Sequence, residues 1–184
     1  MAITMRDRFV VCAPIDDVWA FLTDPHQVAK CIPGGHLESV ESERAFLGRI
    51  KVAVGPISTS YRGRVEFTEL DQANHTARLT AEGHERGGGL ATGSMMSSLL
   101  TVDDGTEVVV DVTVDGASKI VQMGLGLTQN LAEELFGRFV QCVRARLESP
   151  HAAEHAHHTP VPVQVVPLLA KAFMRRFRAK KPAA

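Results

Sequence analysis

Few side chains in this sequence stand where they could do chemistry together. On the alternating face Ile57, Thr59, Tyr61, Gly63, Val65 and Phe67, only Tyr61 is ionisable, and the face Val108 to Val114 has no such group. A helical stripe of Leu127, Leu131, Leu135, Phe139 and Cys142 adds a thiol. His84, Glu85 and Arg86 fall at a hairpin, where solvated side chains are expected. No Ser-His-Asp order, HExxH pair or P-loop is present, and Gly124-Leu125-Gly126 lacks the third glycine and preceding strand of a dinucleotide site. His151, His155, His157 and His158 lie in a proline-rich stretch with no rigid element to fix a coordination geometry, so no metal site is expected. Cys12, Cys31 and Cys142 form no CxxC pair, and reduced thiols are expected. The chain therefore offers no catalytic residue and no metal ligand, and a non-enzymatic role is expected.

The elements that position these residues follow from hydrophobic periodicity. Arg6–Val11 reads as a first strand. Pro14 opens a helix, Ile15 to Asp24, with Asp16 and Asp17 at the positive end of its dipole. A second short helix, about Pro25 to Lys30, ends at Ile32-Pro33-Gly34-Gly35. The period then changes from 3.6 to 2 for about eighty residues, broken by turn signals such as Gly55-Pro56 and Asp103-Asp104-Gly105, as in an antiparallel meander with one covered face. A helix from about Ser118 to Leu147 closes the body, at roughly 42 Å long enough to cross the sheet. A sheet curling around one long helix fits this order and can leave a lumen between them.

Charge divides the chain. Residues 1–148 carry 14 Lys/Arg and 20 Asp/Glu, a net of −6, whereas residues 149–184 carry 6 Lys/Arg and one acid, a net of +5. Residues 149–165 hold Pro and His without period and read as a flexible linker. Residues 166–184, written as a helix, place Leu168, Leu169, Phe173 and Phe177 on one broad side and Lys171, Arg175 and Arg178 opposite. Arg176 falls on the apolar side, where its long stem can snorkel. About 16 such residues span roughly 24 Å, short of the ~30 Å hydrocarbon core, so this segment is expected to lie on an anionic membrane surface rather than cross it. Nucleic acid is not the expected partner. The first residues lack the apolar core of a signal peptide, so a cytoplasmic location is expected.

Several separated segments together resemble one family. APIDDVWAFLTDPHQVAKCIPGG (13–35), VAVGPISTSYRGRVEF (52–67), LTAEG (79–83) and the junction 114–136 are similar to the carbon monoxide dehydrogenase G-subunit family, within the START-like helix-grip superfamily. The resemblance implies an α+β helix-grip (START/Bet v 1-like) fold, with a seven-stranded antiparallel sheet gripping a long C-terminal helix over a hydrophobic cavity in residues 1–148. It also implies association with a membrane, at the inner face of the cell membrane, and with a molybdenum-containing carbon monoxide dehydrogenase or related hydroxylase.

A cavity with an apolar wall and few polar anchors suits a lipophilic small molecule. The expected wall is Val52, Val54, Tyr61, Met96, Val110, Val112, Met123, Leu127 and Leu131, with Tyr61 as the hydrogen-bonding group, while Val65 and Trp19 are expected in closed core. No covalent cofactor is expected. Quinone, dissolved in the bilayer and the usual acceptor for such a partner enzyme, is the expected ligand, with a phospholipid or other isoprenoid as alternatives. The other classes of function are a ligand-free adaptor that docks the enzyme on the membrane and a START-fold enzyme, which the fold alone does not separate.

Overall fold

The computed structural model describes residues 2–54, 57–116 and 125–148. The linker 149–165, the basic segment 166–184 with its proposed membrane-binding residues, and Met123 lie outside the described residues. The elements run β1 (Ile3–Val11), α1 (Ile15–Thr23), α2 (Pro25–Cys31), β2 (Gly35–Val40), β3 (Ala45–Val54), β4 (Ile57–Asp71), β5 (Thr76–Glu85), β6 (Leu90–Val102), β7 (Gly105–Gly116) and α3 (Leu125–Leu147). Seven strands form one antiparallel sheet in the order β1-β7-β6-β5-β4-β3-β2, so the first strand pairs with the last and the rest form a meander. The two short helices bridge the opposite edges, β1 and β2.

Local chemistry starts and stops these elements. Asp24 ends α1 and caps α2, its side chain accepting from the His26 amide at 2.8 Å, with Pro25 in the first turn of α2. Gly34, at φ 73°, turns the chain from α2 into β2. The edge strand β2 shows no inward-outward alternation in the sequence. It is mostly exposed and bulged between Leu37 and Ser39.

The concave face holds the core. Phe9, Val11, Val18, Trp19, Leu99, Val108 and Val143 are buried together, with Phe136 and Phe139 packed against them. A smaller cluster joins Val52 and Leu131 with Ile50, Tyr61 and Leu135 near the other end of α3. The inward arc of α3 is thus wider than the stripe read from sequence, because Phe136, Val140 and Val143 join it. Two contacts pin the end of α3 to the first strand and its exit. Arg144 Nε donates to the Val10 carbonyl at 2.8 Å, and the Cys12 amide donates to Glu148 Oε1 at 3.0 Å.

The cysteines depart from expectation. Cys31, the last residue of α2, forms a disulfide with Cys142 of α3, and Cys12 is free and exposed. Their 111-residue separation hides the pairing in the sequence. Only the return of α3 across the sheet brings the two together.

Candidate functional site: an apolar chamber with a vestibule

Strand register builds the site. Inward positions recur every second residue. They include Phe46 of β3, Val65 and Phe67 of β4, Leu79 and Ala81 of β5, Met95 and Ser97 of β6, and Val110 and Val112 of β7. These residues, with Trp19 and Leu22 of α1, Val28 and Ile32 around α2, and Phe136 and Phe139 of α3, enclose a chamber of about 320 Å³. That lies at the small end of ligand sites, which span ~300–1,000 Å³. Its lining side chains are apolar except for the hydroxyls of Thr23 and Ser97 and the indole N–H of Trp19.

A second hollow of about 230 Å³ adjoins it between α2 and strands β2 to β5, with Tyr61 in its wall. Pro25, Val28, Ile32, Phe46, Val65 and Ala81 line both, so the two are compartments of one space with α2 along its side. The floor of this vestibule is open because side chains are missing. Gly48 pairs with Gly63, Gly63 with Gly83, and Gly83 with Ala91, a row of small residues across four strands. Gly63 is also sterically required, since a Cβ there would collide with the Glu82 carbonyl.

The expected wall is partly redistributed. Val110 and Val112 line the chamber and Tyr61 the vestibule. Val52 and Leu131 are buried against each other and line neither hollow. Met96 is a correction. It faces outward, 42 % exposed, its sulfur 3.6 Å from Arg78 Nη2, and Met95 takes the inward place. The two methionines are adjacent, so one register step decides which is inside. Val54 and Leu127 belong to β3 and α3, but their side chains lie outside what is described. Trp19 is in the buried core as expected and also lines the chamber, and Val65, expected in closed core, lines both hollows. Phe46, Phe67, Leu79, Phe136 and Phe139 were missed. The first three share the inward parity of residues already placed there, so the period-2 pattern carried their signal. Nothing in the pattern marked α2.

Glu85 is a second correction. Expected to be solvated, it is 5 % exposed on the concave face and accepts from Thr59 Oγ1 at 2.7 Å. It lines neither the chamber nor the vestibule. No group of three metal-ligating side chains exists among the described residues.

The convex face carries most of the cations. Arg62 pairs with Glu38, Arg78 with Glu69, and Arg64 with both Glu41 and Glu66, which hold the Arg64 guanidinium above its ordinary pKa, Glu41 foremost. Arg49, Lys51 and Arg86 have no ion pair among the described residues. They border one cleft of about 500 Å³ with His36, Ser58 and Ser60. The Arg86 amide donates to the Ser60 carbonyl at 2.9 Å, which fixes that corner. His36 and Arg49 line both this cleft and the vestibule, so the two meet along the β2–β3 edge.

A curved antiparallel sheet gripping a C-terminal helix over an apolar chamber defines a helix-grip domain. The chain belongs to the carbon monoxide dehydrogenase G-subunit (CoxG) family, whose model matches residues 8–148. No curated protein sequence matches it. Among solved structures, a conserved protein from Geobacillus kaustophilus is similar at TM-score 0.71 and 17% identity, over 79% of this chain and 95% of that one. The Zhui aromatase/cyclase from Streptomyces sp. R1128 is similar at TM-score 0.59 and 19% identity, over 84% and 99%. Ara h 8.0201 is similar at TM-score 0.54 and 13% identity, over 80% and 99%. At these identities the likeness is one of fold. Among the described residues no helix is long and apolar enough to cross a membrane.

Proposed function

We propose that this protein carries a lipophilic molecule, with quinone as the preferred class, between the membrane and a carbon monoxide dehydrogenase-type molybdenum enzyme. The observation that carries the reading is the chamber, almost wholly apolar and sharing its wall with a vestibule. Such a space removes apolar surface from water at about 25 cal/mol per Å², which favours extracting a greasy molecule over holding a polar one. The family supplies the partner enzyme, which must pass electrons onward, and quinone is the acceptor that a bilayer holds.

Two features support docking at an anionic surface. The cations Arg49, Lys51 and Arg86 border a cleft of the convex face that meets the vestibule at His36 and Arg49, along the β2–β3 edge. The net +5 of residues 149–184 adds a second basic element on its own tether. Catalysis on the fold of the aromatase/cyclase neighbour would need titratable groups converging on the chamber, and none of the described residues lining it is titratable.

The test is extraction. Full-length protein is incubated with anionic vesicles containing a short-chain quinone, separated by flotation, and the soluble fraction assayed for quinone at a known protein ratio. Stoichiometric extraction supports the carrier; vesicle binding without extraction favours a ligand-free adaptor.

A further inference from the structure

Four polar side chains are buried among the described residues: Thr59, Glu85, Ser97 and Thr106. Three are satisfied. Thr59 Oγ1 donates to Glu85 Oε1 at 2.7 Å, and Thr106 Oγ1 donates to the Ala13 carbonyl at 2.8 Å. Ser97, 8 % exposed, makes no side-chain hydrogen bond among the described residues. It lies in mid-β6, opposite Ala77 on one side and Val110 on the other, and it lines the chamber. The other chamber hydroxyl is engaged, Thr23 Oγ1 donating to the Trp19 carbonyl at 2.8 Å. The chamber wall therefore presents one uncommitted hydroxyl among the described residues, and besides Thr23 the indole N–H of Trp19 is the other polar group its side chains carry.

We propose that Ser97 is the hydrogen-bond anchor for the oxygenated end of the ligand, which enters head first and trails its apolar chain through the vestibule. The inference rests on the carrier reading and adds the ligand's polarity and orientation. Buried hydroxyls without partners are rare in folded proteins because the lost hydration is not repaid. In the unloaded chamber water can serve Ser97, since the space admits it. A hydrocarbon that displaces that water strands the hydroxyl, whereas a carbonyl oxygen accepts its proton and restores the bond. Sites built this way discriminate between an oxygenated molecule and its deoxygenated analogue more sharply than apolar walls discriminate by shape. Direction follows from position. The sheet order puts β6 three strands from β3, which lines the vestibule together with β2, and Ser97 is not part of the vestibule wall. A head group bonded to Ser97 thus lies away from the vestibule, which leaves the vestibule for a long tail.

The experiment uses a matched pair, 2,3-dimethyl-1,4-naphthoquinone and 2,3-dimethylnaphthalene, which differ in the two carbonyl oxygens. Binding is read from the fluorescence of Trp19, the chain's one tryptophan and part of the chamber wall. Wild type is compared with Ser97→Ala, which removes the hydroxyl, and Ser97→Cys, which keeps a weaker donor. In Ser97→Ala the quinone is expected to bind about tenfold more weakly, with the hydrocarbon unchanged or slightly tighter, and Ser97→Cys is expected to fall between. Thermal midpoints of both variants should stay close to wild type, since Ser97 makes no side-chain hydrogen bond among the described residues. Equal effects on the two ligands, or none, overturn the anchor and leave the carrier standing. Failure of wild type to bind either ligand overturns both.

Discussion

Cys31 at the end of α2 is bonded to Cys142 of α3, and α2 lines both compartments of the ligand space. The bond closes a long loop and ties α2, which also packs on β2 and α1, to α3. Alkylation of denatured, unreduced protein should modify one thiol per chain, Cys12, and all three after reduction. Reduction should cost about 2–4 kcal/mol, a thermal midpoint lower by roughly 5–15 °C for a domain of this size. Three reactive thiols before reduction would contradict the bond.

Gly63 and Gly83 are neighbours in one row and should respond differently. A Cβ at Gly63 meets the Gly83 Cα at 2.7 Å as well as the Glu82 carbonyl, so Gly63→Ala should destabilise by about 1–3 kcal/mol, read by urea unfolding. A Cβ at Gly83 meets nothing nearer than the Tyr61 Cβ at 3.6 Å. Gly83→Val should keep the fold and fill part of the vestibule, weakening a long-chain quinone more than a chainless one. Equal loss of both ligands would mean that the vestibule does not hold the chain.

The basic cleft at the β2–β3 edge predicts a charge effect that spares the fold. Replacing Arg49, Lys51 and Arg86 together with Gln should weaken co-sedimentation with phosphatidylglycerol vesicles by up to about 3 kcal/mol at low salt, with little change on phosphatidylcholine. The difference should shrink as salt rises past ~0.1 M, where the Debye length is about 10 Å. Unchanged binding would assign membrane attraction to residues 149–184 alone, which a truncation after Glu148 isolates.

Much of the framework was legible in the sequence because it repeats. The meander announced itself through alternation such as Val108, Val110 and Val112, and α1 through its Pro14 start and acidic first turn. β2 was not legible. As an edge strand it buries almost nothing, so no apolar period marks Gly35–Val40. The site was legible where parity was unambiguous, as at Val110 and Val112, and failed where two similar residues were adjacent, as at Met95 and Met96. Cys31–Cys142 and the role of Ser97 depend on elements far apart in the chain. A lone serine in a strand has no sequence signature, and its meaning appears only from the strands beside it and the chamber it faces.

The central claim is that the chamber is occupied by an oxygenated lipophile in the cell. Native mass spectrometry of the full-length protein, isolated from its own host without detergent, measures this most directly. The expected result is a noncovalent adduct in near one-to-one ratio, released on activation and identified in an organic extract as a carbonyl-bearing molecule with an apolar chain. Bare chain mass from freshly isolated protein, together with no binding of added quinone, would contradict it.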